Sequence, residues 1–327
     1  HLPPHQQDPL GGRNLIVALA LAMTVLLGFE YFYRPATSAP VASTTAALTA
    51  PVTTPGTTPS APLGTTAPQL TPAIPSALAP APAAAPALTW STPTMTAAIS
   101  LAGGLLQDLA LKPFRTTLDD PTPVQLLSPT GADQRFVELG WLASTIVAPT
   151  STTVWQVVGQ TADQITLEFT NQQGQVFTRV YRYNPTTYTF TVTDRVSNQA
   201  TTPVVLSHYG QVVKAGLNEA GSTWVNFHGP QSFLQGQHLT LEPTDLRDDH
   251  GGLKELTGQG GWAGMSQRYF MVALVPPATQ RHTVAYRHIP GGEAGFTSVT
   301  LRAEPITVAP GTSAEVVTQV YAGPLQQ

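Results

Sequence analysis

The chain has 327 residues, a net charge of −4 at pH 7 and no cysteine. Without thiols it makes no disulfide and no thiolate chemistry; with no basic run, and with Lys112, Lys214 and Lys254 as its lysines, it lacks the electrostatic footprint of a nucleic-acid binder. The length allows a membrane anchor plus one large or two small domains, and the initial His and terminal Gln-Gln read as the ends of a piece cut from a longer chain.

Residues 1–13 form a short stub that ends in Arg13. Residues 14–34 (NLIVALALAMTVLLGFEYFYR) read as a transmembrane anchor. Leu15 to Phe29 carries no charge, and Tyr31, Phe32 and Tyr33 extend the apolar run. At ~1.5 Å per residue the run spans most of a ~30 Å hydrocarbon core. Glu30 sits near one end, within reach of headgroups, and Tyr31 and Tyr33 suit an interfacial belt. Arg13 favours the stub in the cytoplasm and the rest outside. A cleaved signal peptide is one alternative, although the run is long for an h-region and no crisp A-x-A site follows it before Glu30. TSAPVAS (Thr37 to Ser43) is permissive. A buried globular helix is the other alternative.

Residues 35–93 change composition abruptly to Pro, Ala, Thr and Ser, with no charged residue between Arg34 and Asp108. Such a tract cannot bury enough apolar surface to offset its ordering entropy, and its prolines stiffen it toward polyproline II. It reads as a disordered spacer, or else as a glycosylated or partner-docking stalk.

From Thr94 to the end the signals are of strands. Thr94 to Leu101 and Leu105 to Lys112 flank Gly103-Gly104 as a hairpin. Thr152 to Gly159, Gln164 to Thr170, Gln175 to Tyr183 and Thr187 to Thr193 follow. In the last of these Tyr188, Phe190 and Val192 alternate with threonines at period two, which predicts one buried face and one wet face. Further strands are expected at Thr202 to His208, Ser222 to Phe227, Gln237 to Leu241, Tyr269 to Val275, Thr283 to His288, Phe296 to Arg302 and Ala314 to Tyr321. No amphipathic helix exceeds two turns. The reading is all-β: one large double-sheet sandwich over 94–327.

Chemistry-bearing motifs are absent: no Walker motif, no G-x-G-x-x-G after a strand, no G-x-S-x-G and no H-E-x-x-H. Asp245, Asp248, Asp249 and His250 lack the alternate spacing and closing Glu of an EF-hand and read as a solvated acidic loop. His208, His228, His238, His282 and His288 are scattered. Any of them becomes a general base only beside a carboxylate in a cleft, and a lone histidine in a β-domain is more often structural. Trp155, Trp224, Trp262, Tyr269 and Phe270 can line a sugar site, with core packing as the plainer use.

Taken in order, several segments resemble the N-terminal part of bacterial YidC membrane-protein insertases. Arg13-Asn14-Leu15 opens the anchor, and a Pro/Ala/Thr linker follows. Met95 to Leu111 (MTAAISLAGGLLQDLAL) resembles the family's opening hairpin. Leu126 to Pro129 (LLSP), Glu138 to Trp141 (ELGW) and Leu206 to Gln211 (LSHYGQ) resemble later segments. Gly260 to Pro276 (GGWAGMSQRYFMVALVP) is the most specific block, and Val320 to Pro324 (VYAGP) resembles the family's last strand. The resemblance implies an inner-membrane anchor and a periplasmic β-supersandwich akin to galactose mutarotases. It also implies a role beside a downstream insertase core, working on nascent membrane proteins alone or with the Sec translocon. It carries over no catalytic residue, no metal and no cofactor, and it does not call for a small-molecule ligand.

Three readings of the domain follow. The first is a non-enzymatic docking or accessory domain of an insertase. The second is an anchored carbohydrate-binding or mutarotase-like sandwich, with His208, His228, Trp224, Trp262 and Tyr269 as its cleft residues. The third is an envelope spacer. The first predicts an exposed apolar or edge-strand patch rather than a charged funnel, because charges are few.

Overall fold

The computed structural model describes residues 86–325 apart from 118, 132–133, 217–228, 268 and 292–294. The stub, the anchor at Asn14–Arg34, nearly all of the linker and the strand expected at Ser222 to Phe227 lie outside the described residues.

Among the described residues the chain order is β1 (Ala87–Ser91), β2 (Met95–Ser100), β3 (Leu105–Arg115), β4 (Pro123–Leu127), β5 (Arg135–Ala143), β6 (Gln156–Gln160) and β7 (Gln164–Thr170). Then come β8 (Gln175–Asn184), β9 (Thr189–Asn198), β10 (Val204–Ala215), β11 (Gly229–Leu234), β12 (Gln237–Thr240) and one short helix, α1 (Pro243–Asp248). The series ends with β13 (Leu253–Gln259), β14 (Trp262–Gln267), β15 (Phe270–Val275), β16 (Arg281–Ile289), β17 (Phe296–Ala303), β18 (Ile306–Val308) and β19 (Ser313–Pro324).

Two antiparallel sheets form. The ten-stranded sheet runs β1-β2-β3-β5-β10-β17-β16-β13, with β4 on β3 and β18 on β10. The nine-stranded sheet runs β12-β11-β14-β15-β19-β9-β8-β7-β6. Their inward side chains make one apolar core. Leu139, Trp141, Leu206, Val299 and Leu301 come from the first sheet; Ile165, Phe177, Phe190, Leu274 and Val320 come from the second. The double-sheet sandwich expected from the strand pattern is therefore the fold.

Period two explains the second sheet well. On β9, Phe190, Val192 and Val196 are buried while Thr189, Thr191 and Thr193 are half-buried on the other face. The opening hairpin is β2–β3, turned by Gly103 and Gly104 at φ +75° and +61°. A Cβ on Gly103 would stand 2.8 Å from the Ser151 backbone, so only glycine passes there.

Three differences from the sequence reading have physical causes. Strand structure begins at Ala87, inside the stretch 35–93 read as linker. Trp90 holds this strand: it is buried, lies edge-on to Tyr183 and Phe190, and its Nε1 donates to the Ala162 carbonyl at 2.8 Å. Strand β5 was not expected because its central residues are buried on both faces, which erases alternation. The expected strand at Thr152 to Gly159 begins instead at Gln156, after a turn in which Val154 makes only an isolated bridge to Ala102.

Candidate functional site

A buried polar cluster joins the two sheets. On β8, Phe177, Arg179 and Tyr181 share the inward face. On β9, Asp194 follows Phe190 and Val192 on the inward face. Arg179 and Asp194 are direct cross-strand partners. Arg179 Nε donates to Asp194 Oδ1 at 2.6 Å, its Nη2 to the Leu139 carbonyl at 2.6 Å, and its Nη1 to the Gly103 and Gly104 carbonyls at 3.3 Å. The guanidinium carbon lies 5.2 Å from the Trp155 ring centroid. Tyr181 donates its hydroxyl to the Gly104 carbonyl at 2.6 Å. From the first sheet, His208 meets Asp194 Oδ2 through Nε2 at 2.9 Å and packs edge-on to Trp141 at 5.0 Å.

His208 thus does have a carboxylate beside it. Both groups are sealed inside the sandwich, however, with His208 4 % and Asp194 1 % exposed. The narrow pocket that His208 lines with Gln280, His282 and Thr318 leaves room for roughly one water molecule. A sugar has no way in, so the cluster works as a polar staple between the sheets rather than as an acid–base site. Burial alone would raise the Asp194 carboxyl. The Arg179 guanidinium and the His208 hydrogen bond outweigh burial and hold it below the usual carboxylate range. A lowered folded-state pKa contributes stability above the unfolded value of about 4, and that stability is lost as pH falls through the folded value. Urea midpoints measured from pH 7 to pH 3 should therefore drop more steeply below about pH 4 in the parent than in Asp194→Asn. Equal slopes would remove Asp194 from the acid sensitivity.

The other sequence-predicted residues fall elsewhere. His228 and Trp224 lie outside the described residues. Asp245 and Asp248 sit on α1, with Asp249 and His250 just after it. No cluster of metal-ligating side chains forms among the described residues. Trp262 is half-buried on β14, 6.0 Å from the His238 ring, and Tyr269 is exposed.

Trp262 opens an apolar surface feature beside these residues. With Thr189, Met271, Ala273, Val275, Gln319, Tyr321, Pro324 and Leu325 it lines an open groove of about 350 Å³. Period two builds it. Val272 and Leu274 of β15 point into the core, so Met271, Ala273 and Val275 take the other face, where Met271 and Ala273 form a buried floor between the half-buried Trp262, Val275 and Tyr321. Tyr321 stands beside them on β19 and donates its hydroxyl to the Pro324 carbonyl, which fixes the end of the groove. Leu325 donates its N–H to the Tyr269 carbonyl at 2.7 Å and brings Tyr269 to the rim. No lining residue carries a charge. The sequence points to Trp262 and, at the rim, Tyr269 as cleft candidates, and it marks Met271, Ala273, Val275, Tyr321 and Pro324 only as parts of the blocks Gly260 to Pro276 and Val320 to Pro324. The signal was present in M-V-A-L-V (Met271 to Val275), where both parities are apolar and one must face outward.

Residues 87–327 match the family model described as the YidC periplasmic domain. A membrane protein insertase YidC of Sinorhizobium medicae is 33 % identical over 242 residues, covering 71 % of this chain and 40 % of the relative. One of Sinorhizobium fredii is 32 % identical over 322 residues, covering 95 % of this chain and 54 % of the relative. The chain thus spans about half the length, or less, of the curated relatives it matches. Among solved structures, a galactose mutarotase-like protein from Lactobacillus casei superposes with a TM-score of 0.51 at 13 % identity, covering 72 % of this chain and all of that one. At that identity the likeness concerns the fold alone.

Proposed function

This chain belongs to the YidC family and carries its periplasmic domain, and from that premise we propose that the domain is a non-enzymatic docking module of an inner-membrane insertase. In this reading Asn14–Arg34 anchors it with the stub in the cytoplasm, and the β-domain stands in the periplasm. The occupant of the Trp262 groove is an apolar segment of a membrane protein undergoing insertion. The observation that carries the reading is the uncharged lining of that groove, in a protein whose relatives are named membrane protein insertases. An apolar segment gains by burying against Trp262, Val275 and Tyr321, and it meets no charge that must be desolvated. The carbohydrate reading would need an accessible acid and base, and His208 with Asp194 is sealed from solvent.

The test is site-specific photocrosslinking in membranes holding a client caught partway through insertion. A photoreactive group at Gln319, within the groove, should crosslink to the client. One at Glu304, exposed beyond β17, should not. Trp262→Ala should weaken the Gln319 crosslink, since losing a central aromatic anchor costs about 2 kcal/mol or roughly thirtyfold in Kd. Equal labelling from both positions would overturn the reading. A crosslink from Gln319 to a Sec translocon component instead would replace the client by that partner.

A further inference from the structure

Among the described residues, the nine-stranded sheet leaves the β6 edge uncovered. Strand β6 pairs there only with β7, and every one of its residues is exposed. Residues 139–162, which contain it, carry no charged side chain. Val147, Val154, Val157 and Val158 along this stretch are 63, 63, 39 and 53 % exposed. Natural sheets blunt their edges with lysine, proline, bulges, short strands or a covering element; β6 has its five-residue length and a register shift between Val157 and Gly159, but no charge and no covering element among the described residues. The other edges show such devices. Strand β13 carries Lys254 and Glu255, β12 is only four residues long, and the end of β1 is met by Lys112, whose Nζ reaches Ser91 Oγ at 2.9 Å.

We propose that β6 is a strand-addition site for an extended, uncharged segment of another polypeptide. An added strand is held mainly by main-chain hydrogen bonds, which are blind to sequence, while β-branched or small side chains meet the exposed valines. Such recognition suits a surface that must meet many different chains. The naming of a client segment as that polypeptide rests on the docking function proposed above; the strand-addition site itself does not. A second copy of this chain fits less well. The β6–β7 register shifts between Val157 and Gly159, so a self-pair would set two irregular strands against each other over five residues. A flexible peptide can follow that irregularity. The site is separate from the Trp262 groove, because β7 and β8 lie between β6 and β9.

The probe is a dye-labelled peptide of about eight residues alternating Val and Thr, added to the full chain and followed by fluorescence anisotropy. Saturable binding is expected. Val157→Lys with Val158→Lys should weaken it at least about tenfold while the unfolding midpoint stays at the parent value. Trp262→Ala should leave it unchanged. The same peptide N-methylated at every residue should not bind, because it lacks the donors on both edges. Gln156→Lys with Gln160→Lys, on exposed glutamines, repeats the test should the valine pair perturb folding. Unchanged binding in the lysine variants, or equal binding of the N-methylated peptide, overturns the proposal. So does a concentration-dependent dimer that the lysine variants abolish, which would make a second copy the occupant. If the peptide binds at β6 as expected and no client crosslinks from either β6 or Gln319, the edge site stands and the docking function fails.

Discussion

Arg179→Met is expected to destabilise the domain by about 3–5 kcal/mol, the range found when one partner of a buried ion pair is removed. The variant strips four acceptors at once. Asp194 keeps His208 and the Gly104 carbonyl keeps the Tyr181 hydroxyl, but both lose the guanidinium, and the carbonyls of Leu139 and Gly103 lose their side-chain donor. Each buried acceptor left without a donor carries a desolvation cost of about 1–3 kcal/mol, partly relieved by relaxation. Arg179→Lys should be nearly as damaging, because an ammonium cannot direct donors along three separate arms as the planar guanidinium does. Glu304→Gln is the control. It breaks the Arg281–Glu304 pair, whose side chains are both about two-thirds exposed, and should stay within about 0.5 kcal/mol. Urea unfolding of the three variants reads this directly. An Arg179→Met midpoint close to that of Glu304→Gln would mean that the cluster does not tie the sheets together.

The staple also shows where the sequence was readable and where it was not. Alternation at Phe190 and Val192 marks the inward face of β9, and the same count lands on Asp194. On β8, the parity that holds Phe177 and Tyr181 also holds Arg179. A charge at the apolar parity of two neighbouring strands is a sequence-level sign of a buried ion pair. It becomes a pair only through the register, which sets Arg179 opposite Asp194. Register depends on turns and long-range packing, which a single strand does not display. The same limit hid β5, where the apolar Phe136, Val137, Leu139 and Trp141 and the charged Glu138 are all buried, on both parities, because both faces are covered. It hid the groove as well: Met271, Ala273 and Val275 look like core until the sheet is assembled and one parity is seen to face out.

The edge at β6 is legible in a different way. Absence of charge over residues 139–162 is plain in the sequence, and so are the valines. What the sequence withholds is that this stretch ends up at the rim of a sheet rather than in its middle, where such residues would be ordinary. Topology turns a bland composition into an interaction surface. The nine-stranded sheet therefore presents two uncharged contacts of different kinds. The groove offers side-chain burial on a sheet face, and β6 offers backbone pairing along a sheet edge.

Gly261→Ala is the second large effect, and it links the fold to the groove. Gly260 and Gly261 lie at φ +62° and +76°, the left-handed region where a Cβ is penalised. A Cβ on Gly261 would also stand 2.0 Å from the Phe233 carbonyl oxygen, a backbone atom that cannot swing aside. Phe233 pairs with Trp262 across β11 and β14, so relief requires the two strands to part at the tryptophan that lines the groove. The cost should exceed about 2 kcal/mol, more than left-handed strain alone commonly brings. Gly236→Ala separates the two causes. Its φ is +78°, yet a Cβ there meets nothing within 4 Å, so it should lose only about 1 kcal/mol. Hydrogen exchange should then show faster opening of β11 and β12 in Gly261→Ala than in Gly236→Ala, together with a weaker client crosslink from Gln319. Were the two variants to unfold at the same denaturant concentration, backbone strain alone would account for both, and close approach of β11 would not be the reason that glycine precedes Trp262.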